Sequence, residues 1–264
     1  MVNSILLLKN KTTPRDPYQE VFSSKSITPQ FLPLLEHSPV DKEGLREYLI
    51  SDEFLNQTNT FIVTSQRAVE VFNECIQDCD EEVSKSIWKK VGYTVGPATS
   101  KILMESGFKN IRGGHDAGNG AILSDIIIDD YQENGIDKEA EHPIMFFTGE
   151  IRRDIIPKKL LSAGIKFKEK VVYRTASRDD IIDNFDQLKH MQQDPHHWIV
   201  FFSPQGTEVI IDHILANGGS QSFNIASIGP TTKEYLENKG ITPKVVAEKP
   251  EANSLLEAIT QHEF

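Results

Sequence analysis

The chain has 264 residues, with 28 Lys and Arg against 39 Asp and Glu, for a formal net charge of −11. This balance argues against a nucleic-acid partner, whose phosphates need a basic surface. It leaves room for a small anion held by local donors, because charges more than about 8 Å apart are screened at physiological salt. No apolar run approaches the roughly 20 residues of a membrane span, and the short run in "MVNSILLLKNK" is not a signal-peptide core. Cys75 and Cys79 have no zinc-like partner set and read as structural thiols of a reducing, cytoplasmic compartment.

In chain order, short β-rich runs alternate with helical patterns. "SILLLKN" (4–10) opens as a strand and "ITPQFLPLLEH" (27–37) as an extended connector. "TFIVTS" (60–65), "VGYTV" (91–95), "PIMFFT" (143–148), "WIVFFS" (198–203) and "FNIASI" (223–228) read as buried parallel strands. Helix-like segments follow each: "RAVEVFNECI", "ATSKILMESG", "IRRDIIPKKLLSAG", "TEVIIDHILANGG" and "TTKEYLENKG". Gly107, Gly164 and Gly240 stand where helices end. "IKFKEKVVYRT" (165–175) alternates, with Ile165, Phe167, Val171 and Tyr173 on one face and Lys166, Lys168, Lys170 and Arg174 on the other. "DKEAEHP" (137–143) and "QQDPHH" (192–197) read as surface loops.

An internal repeat organises these elements. "FIVTSQRAVEVF" (61–72) resembles "VFFSPQGTEVII" (200–211), and "YTVGPATSKILMESGF" (93–108) resembles "ASIGPTTKEYLENKGI" (226–241). "AGNGAILSDII" (117–127) weakly resembles "KPEANSLLEAI" (249–259), in the same order. The pattern predicts an α/β fold of two related, open parallel-sheet, flavodoxin-like domains. From residue 199 onward only about three strands are visible, fewer than a stable open sheet usually has. The amino-terminal strand therefore returns to complete the second copy. The expected division is a discontinuous domain of 1–33 plus 176–264, an inserted domain of 38–166, and two linker strands at about 27–37 and 165–175.

In open parallel sheets, ligands bind beyond the carboxyl ends of the strands. Gly96-Pro97-Ala98-Thr99 and Gly229-Pro230-Thr231-Thr232 fall there, each opening a helix whose free N–H groups and dipole favour an anion. The same residues also fit plain strand-to-helix turns with threonine N-caps. Thr64 and Ser65, and Ser203, Pro204 and Gln205, offer hydroxyl and N–H donors at the matching ends of two other strands. Arg67 could hold a carboxylate, or could lie on a solvated helix face. "GGHDAGNG" (113–120) reads as a mobile loop ahead of a helix starting near Ala121. Gly-x-Gly-x-x-Gly after a first strand, a P-loop and a Gly-x-Ser-x-Gly elbow are all missing. His115, His196, His197 and His213 lack metal-ligand spacing, so no metal site is expected.

"ILLLKN" followed by "DPYQEVF", then "FIVTSQRAVE", "TVGPATS", "FFTGEIRRDIIPKKLLSAGI", "VVYRT", "FFSPQG" and "IGPTT", resemble the uroporphyrinogen-III synthase family in order along nearly the whole chain. That resemblance implies two α/β domains on a two-stranded linker and an enzyme of tetrapyrrole and haem synthesis. The implied substrate is hydroxymethylbilane, a linear tetrapyrrole with eight carboxylates. The implied reaction closes the macrocycle with loss of water and inversion of the last pyrrole ring, without a cofactor and in a monomer. By the same resemblance Tyr173 matches a cleft tyrosine that assists the departing hydroxyl. Thr99, Thr231 and Thr232 match loop threonines near the tetrapyrrole, and Ser65, Arg67 and Ser203 match cleft positions. Gly149 matches a glycine that brings backbone to the ligand. Gln66 departs from the pattern, where many relatives carry proline.

A second reading is a non-catalytic, two-lobed protein that closes on an anionic small molecule. It fits the paired loops equally well but gives no account of Tyr173 or of the full motif order.

Overall fold

The computed structural model describes residues 4–12, 15–132, 142–188 and 196–262. Most of the two segments read as surface loops, 137–141 and 192–195, lies outside the described residues. The strands, in chain order, are β1 (Ser4–Leu8), β2 (Thr28–Phe31), β3 (Leu35–Pro39), β4 (Thr60–Val63), β5 (Val91–Val95), β6 (Asn110–Gly114), β7 (Ile144–Gly149), β8 (Phe167–Ser177), β9 (His197–Phe201), β10 (Asn224–Ser227) and β11 (Val245–Val246). Contacts divide the chain into two units, residues 1–36 with 176–264, and residues 37–175.

The first unit carries a five-stranded sheet in the order β11-β10-β9-β1-β2, and all of its pairings are parallel. β1 lies between β9 and the edge strand β2, with Ser4 opposite His197 on one side and Thr28 on the other. Its uninterrupted apolar run follows from burial on both faces. Ile5 and Leu7 join Trp198 and Val200 in one apolar cluster, while Leu6 and Leu8 join Ile199 and Phe201 in another. Each such side chain contributes about 1.5–3 kcal/mol when fully buried. His197, read as part of a loop, instead begins β9 and is buried, accepting or donating a 2.7 Å bond with the Ser4 hydroxyl.

The second unit carries a six-stranded sheet in the order β3-β8-β7-β4-β5-β6. β4 pairs in parallel with β5 and β7, β5 with β6, and β7 with β8. Phe61, Val63 and Phe147 face a core that includes Phe54, Phe72 and Phe108, with Phe72 and Phe147 only 4.7 Å apart between ring centroids. Ile62, Ile144 and Phe146 face the other core, against Leu123, Ile127 and Leu160. Strand β6 has no apolar pattern at its Arg-Gly-Gly end; it is an edge strand, where such residues are tolerated.

The two sheets share one internal order. β9, β10 and β11 correspond to β4, β5 and β6, and β1 and β2 correspond to β7 and β8. The strand–helix–strand piece that completes the second unit's sheet near its carboxyl end stands at the start of the chain in the first unit. Of the segments read as connectors, 27–37 divides into β2 of one sheet and β3 of the other, and β8 is a full member of the second sheet.

One local expectation is corrected. The alternation puts Val171 on one face with Ile165, Phe167 and Tyr173. The β7–β8 register instead steps from Thr148–Val171 to Gly149–Tyr173, so an extra residue is accommodated as a bulge. Val172 becomes fully buried in the phenylalanine core and Val171 is left 39% exposed.

Candidate functional site

The carboxyl ends of β4, β5, β7 and β8 open onto a cleft of about 670 Å3 in the second unit. Thr64 and Ser65 enter it from β4, Thr148 and Gly149 from β7, and Tyr173 from β8. Gly118 to Ala121 close another side at the start of helix Gly120–Gln132. Ser65 is the N-cap of helix Gln66–Gln77, its hydroxyl accepting from the Ala68 N–H at 3.1 Å. Its position at the cleft therefore also satisfies a helix end.

Tyr173 lies across Gly149. A Cβ on that glycine would sit 2.6 Å from the tyrosine Cζ and 2.8 Å from its hydroxyl oxygen. The Glu150 N–H donates to the Tyr173 carbonyl at 3.0 Å, which fixes the backbone beside the ring. The Tyr173 hydroxyl makes no hydrogen bond among the described residues, so it is available to a ligand in the cleft. His37 packs edge-on to the same ring at 6.1 Å, and its Nδ1 lies 2.9 Å from the Thr175 hydroxyl. Burial, with the nearby Arg67 guanidinium, holds the His37 imidazole below its ordinary range, partly opposed by Glu70.

Both Gly-Pro corners are helix starts, but threonine does not cap them. Gly96 and Gly229 are the N-cap residues, proline follows at the first helical position, and no side chain supplies a capping bond. Thr99 and Thr232 lie two positions further on and are buried. The Gly96 N–H is already used, donating to the Ala117 carbonyl at 3.0 Å. The N–H groups of Ala98 and Thr99, and of Thr231 and Thr232, are those that a helix leaves without an internal acceptor. Pro97, Ala98, Pro230 and Thr231 are exposed. Gly96 needs its glycine for a φ of 80°, whereas Gly229 at 179° is ordinary extended backbone with open space where a Cβ would stand.

Other expected residues separate. Pro204 and Gln205 line a pocket of about 370 Å3 in the first unit, beside Ser177 and Tyr235, while Ser203 is exposed and lines neither pocket. Arg67 is exposed on its helix and paired with Glu70 at 2.8 Å. The glycine-rich 113–120 segment is held by turns and by Ala117, which is fully buried against the Gly96 corner. Sequence reasoning missed Asn119, whose Oδ1 accepts from the Ala121 and Ile122 N–H groups and caps the helix at the cleft edge. It also missed Arg152 and Arg153, read as part of a helix that begins only at Ile155. Asp154, directly before that apolar run, was the available signal.

Among the described residues no group of three or more His, Cys, Asp or Glu is placed to hold a metal ion, and no helix is long and apolar enough to cross a membrane. The family model described as "Uroporphyrinogen-III synthase HemD" matches residues 16–257. The uroporphyrinogen-III synthase of Saccharomyces cerevisiae (strain ATCC 204508 / S288c) is 43% identical over 265 residues, covering 97% of this chain and 94% of the relative. The chain belongs to the uroporphyrinogen-III synthase family. The uroporphyrinogen-III synthase of Schizosaccharomyces pombe (strain 972 / ATCC 24843) is 34% identical, covering 98% of this chain and 96% of its own. The crystal structure of uroporphyrinogen-III synthetase from Helicobacter pylori 26695 shares the α/β fold with parallel sheets, at a TM-score of 0.61 and 18% identity, covering 99% of each chain. Membership of the uroporphyrinogen-III synthase family decides for an enzyme and against the two-lobed binding protein.

Proposed function

We infer that this chain converts hydroxymethylbilane to uroporphyrinogen III, and that the second unit's cleft holds the reacting end. The observation that carries the reading is Tyr173, whose unpartnered hydroxyl stands in a cleft at the strand ends. Loss of hydroxide from the first ring leaves an azafulvene cation. The substituted carbon of the last ring attacks it, giving a spiro intermediate that fragments and recloses with that ring turned over; the newly bonded carbon then loses its proton, which with the departed hydroxide makes up the water released. The pyrroles supply both nucleophile and electrophile. What remains for the protein is to hold the chain folded, help hydroxide depart, and exclude the non-inverting closure. Tyr173 donates a hydrogen bond to the departing hydroxyl, and His37 and Gly149 fix its ring. Positioning of this kind can supply about 7–11 kcal/mol of a barrier.

Each unit offers strand-end donors to the polyacid: the Ala98, Thr99, Thr231 and Thr232 N–H groups, the Thr64 hydroxyl, and the Pro204-Gln205 loop. The two units are two related domains, one discontinuous, with residues leading into β3 and out of β8 as their connectors. The 3.0 Å bond from the Arg178 N–H to the Leu34 carbonyl and the 2.9 Å bond from the Val40 N–H to the Val172 carbonyl support paired connectors. The test supplies freshly prepared hydroxymethylbilane and separates the uroporphyrin isomers by chromatography. Type III is expected; type I alone, the spontaneous product, overturns the reading.

A further inference from the structure

Only two charged residues line the Tyr173 cleft, Arg152 and Arg153; no Asp, Glu or Lys does so among the described residues. With no lining carboxylate, an unpaired arginine there favours an anion even in a chain of net charge −11. The two arginines are adjacent in sequence but not equivalent. Arg152 is spent within the protein: its Nε and Nη2 engage the Glu169 carboxylate at 2.6 and 2.7 Å, and its Nη1 donates to Asp154. Arg153 has no ion-pair or hydrogen-bond partner among the described residues. Its guanidinium keeps the planar fork that matches a carboxylate with two parallel N–H donors.

The neighbouring surface points to the same ligand chemistry. Ile151 lines the cleft and, at 70% exposed, is the most exposed large apolar side chain of the described residues. An uncovered isoleucine next to a free guanidinium suits a ligand with an apolar face and an acidic arm. A pyrrole bearing carboxylate side chains has both.

We propose that Arg153 is the carboxylate receptor of the Tyr173 cleft, taking one acid arm of the substrate while Ile151 packs on its ring. This rests on the hydroxymethylbilane reading above. Arg152 has a different part: clamped on Glu169, it holds the loop so that the next residue projects into the cleft.

The experiment compares the full chain with Arg153→Gln and Arg153→Lys, and with Lys85→Gln as a control for loss of one surface charge on helix Glu81–Trp88. Turnover of hydroxymethylbilane, melting temperature and binding of uroporphyrin, a stable octacarboxylate, are measured for each. Arg153→Gln raises KM about tenfold, leaves kcat within about threefold, weakens uroporphyrin binding about tenfold and leaves the melting temperature unchanged, as loss of one accessible charge-assisted pair requires. Arg153→Lys recovers part of the affinity, and the dependence of KM on salt becomes shallower in Arg153→Gln. Unchanged KM and unchanged uroporphyrin binding in Arg153→Gln, or a fall in kcat alone, overturns the proposal. If the unaltered chain yields only the type I isomer, the assigned reaction fails instead. Uroporphyrin binding then still decides the role of Arg153.

Discussion

Gly149 and Tyr173 are packed so closely that a single added methyl group on the glycine would overlap the tyrosine ring, at 2.6 Å from Cζ. A glycine at this position therefore leaves room for the tyrosine ring, and it lines the cleft as well. Tyr173→Phe keeps the packing and removes the hydroxyl. It should lower kcat about a hundredfold with little change in melting temperature. Gly149→Ala should lower kcat at least as much, and adding Tyr173→Phe to it should cost little more, because both act on one group. Additive losses in the double variant would separate the two residues.

The Gly-Pro corners respond differently to the same substitution. Gly96→Ala forces a side chain into a backbone region reserved for glycine and should destabilise by about 1–3 kcal/mol, read by calorimetry. Gly229→Ala meets neither strain nor a neighbouring atom, so its stability should hold. Its new methyl group would stand in open space at the corner that opens the helix of Thr231 and Thr232. A several-fold rise in KM with an unchanged melting curve is the expected result, and unaltered kinetics would remove that corner from substrate binding.

The bulge in β8 can be tested by stability alone. Val172→Ala opens a hole in the phenylalanine core and should cost about 2 kcal/mol. Val171→Ala changes an exposed side chain and should stay within about 0.5 kcal/mol. A simple alternating strand predicts the reverse ranking in urea titrations.

Asp16 gives the fold an acid limit. Burial pushes its carboxyl upward, but the Lys9 ammonium and the Thr12 and Gln19 N–H groups outweigh that and hold it below the usual carboxylate value. A lowered folded-state value means that this stabilisation is complete above about pH 4 and is lost as pH falls through the folded value. Asp16 also caps helix Pro17–Ser23, accepting from the Tyr18 and Gln19 N–H groups. Asp16→Asn should flatten the fall in stability below pH 4, measured by urea unfolding, with a loss of about 1 kcal/mol or more at pH 7.

Lys90 acts at the alkaline end. Its ammonium donates to the Leu55 and Thr58 carbonyls, and burial holds it down to about 8. The unfolded chain, titrating near 10.4, then binds more protons between those values, so stability rises with pH from about 8 to about 10.4. Urea midpoints for the unaltered chain should climb over that range more steeply than those of Lys90→Met. Equal slopes would show that Lys90 keeps its charge through the interval.

The sheet strands were legible in the sequence because β1, β4, β7 and β9 are buried on both faces and carry continuous apolar runs, with polar residues only at their ends. The repeat likewise exposed both Gly-Pro corners, since strand ends that open helices carry the same turn chemistry in each copy. Val171 was misplaced because a bulge shifts the period by one without any mark in composition. Arg152 and Arg153 were passed over because basic residues beside an apolar run look like a solvated helix face until the helix start is fixed at Ile155. Nothing in the spacing of Arg152 and Glu169 announces that one arginine is occupied and its neighbour is not.

The order of the first sheet sets a schedule for synthesis. β1 needs β9 along one edge, and Ser4 meets His197 across a separation of 193 residues. At about 5–20 residues per second a ribosome takes about 10–40 s to cover that distance. Until then the apolar strand β1 has β2 on one side and an open edge on the other, a template for pairing with a neighbouring nascent chain. The intervening residues from β4 to β7 can meanwhile complete their own central pairings, so newborn chains pass through a stage in which one sheet is built and the other waits for three of its five strands.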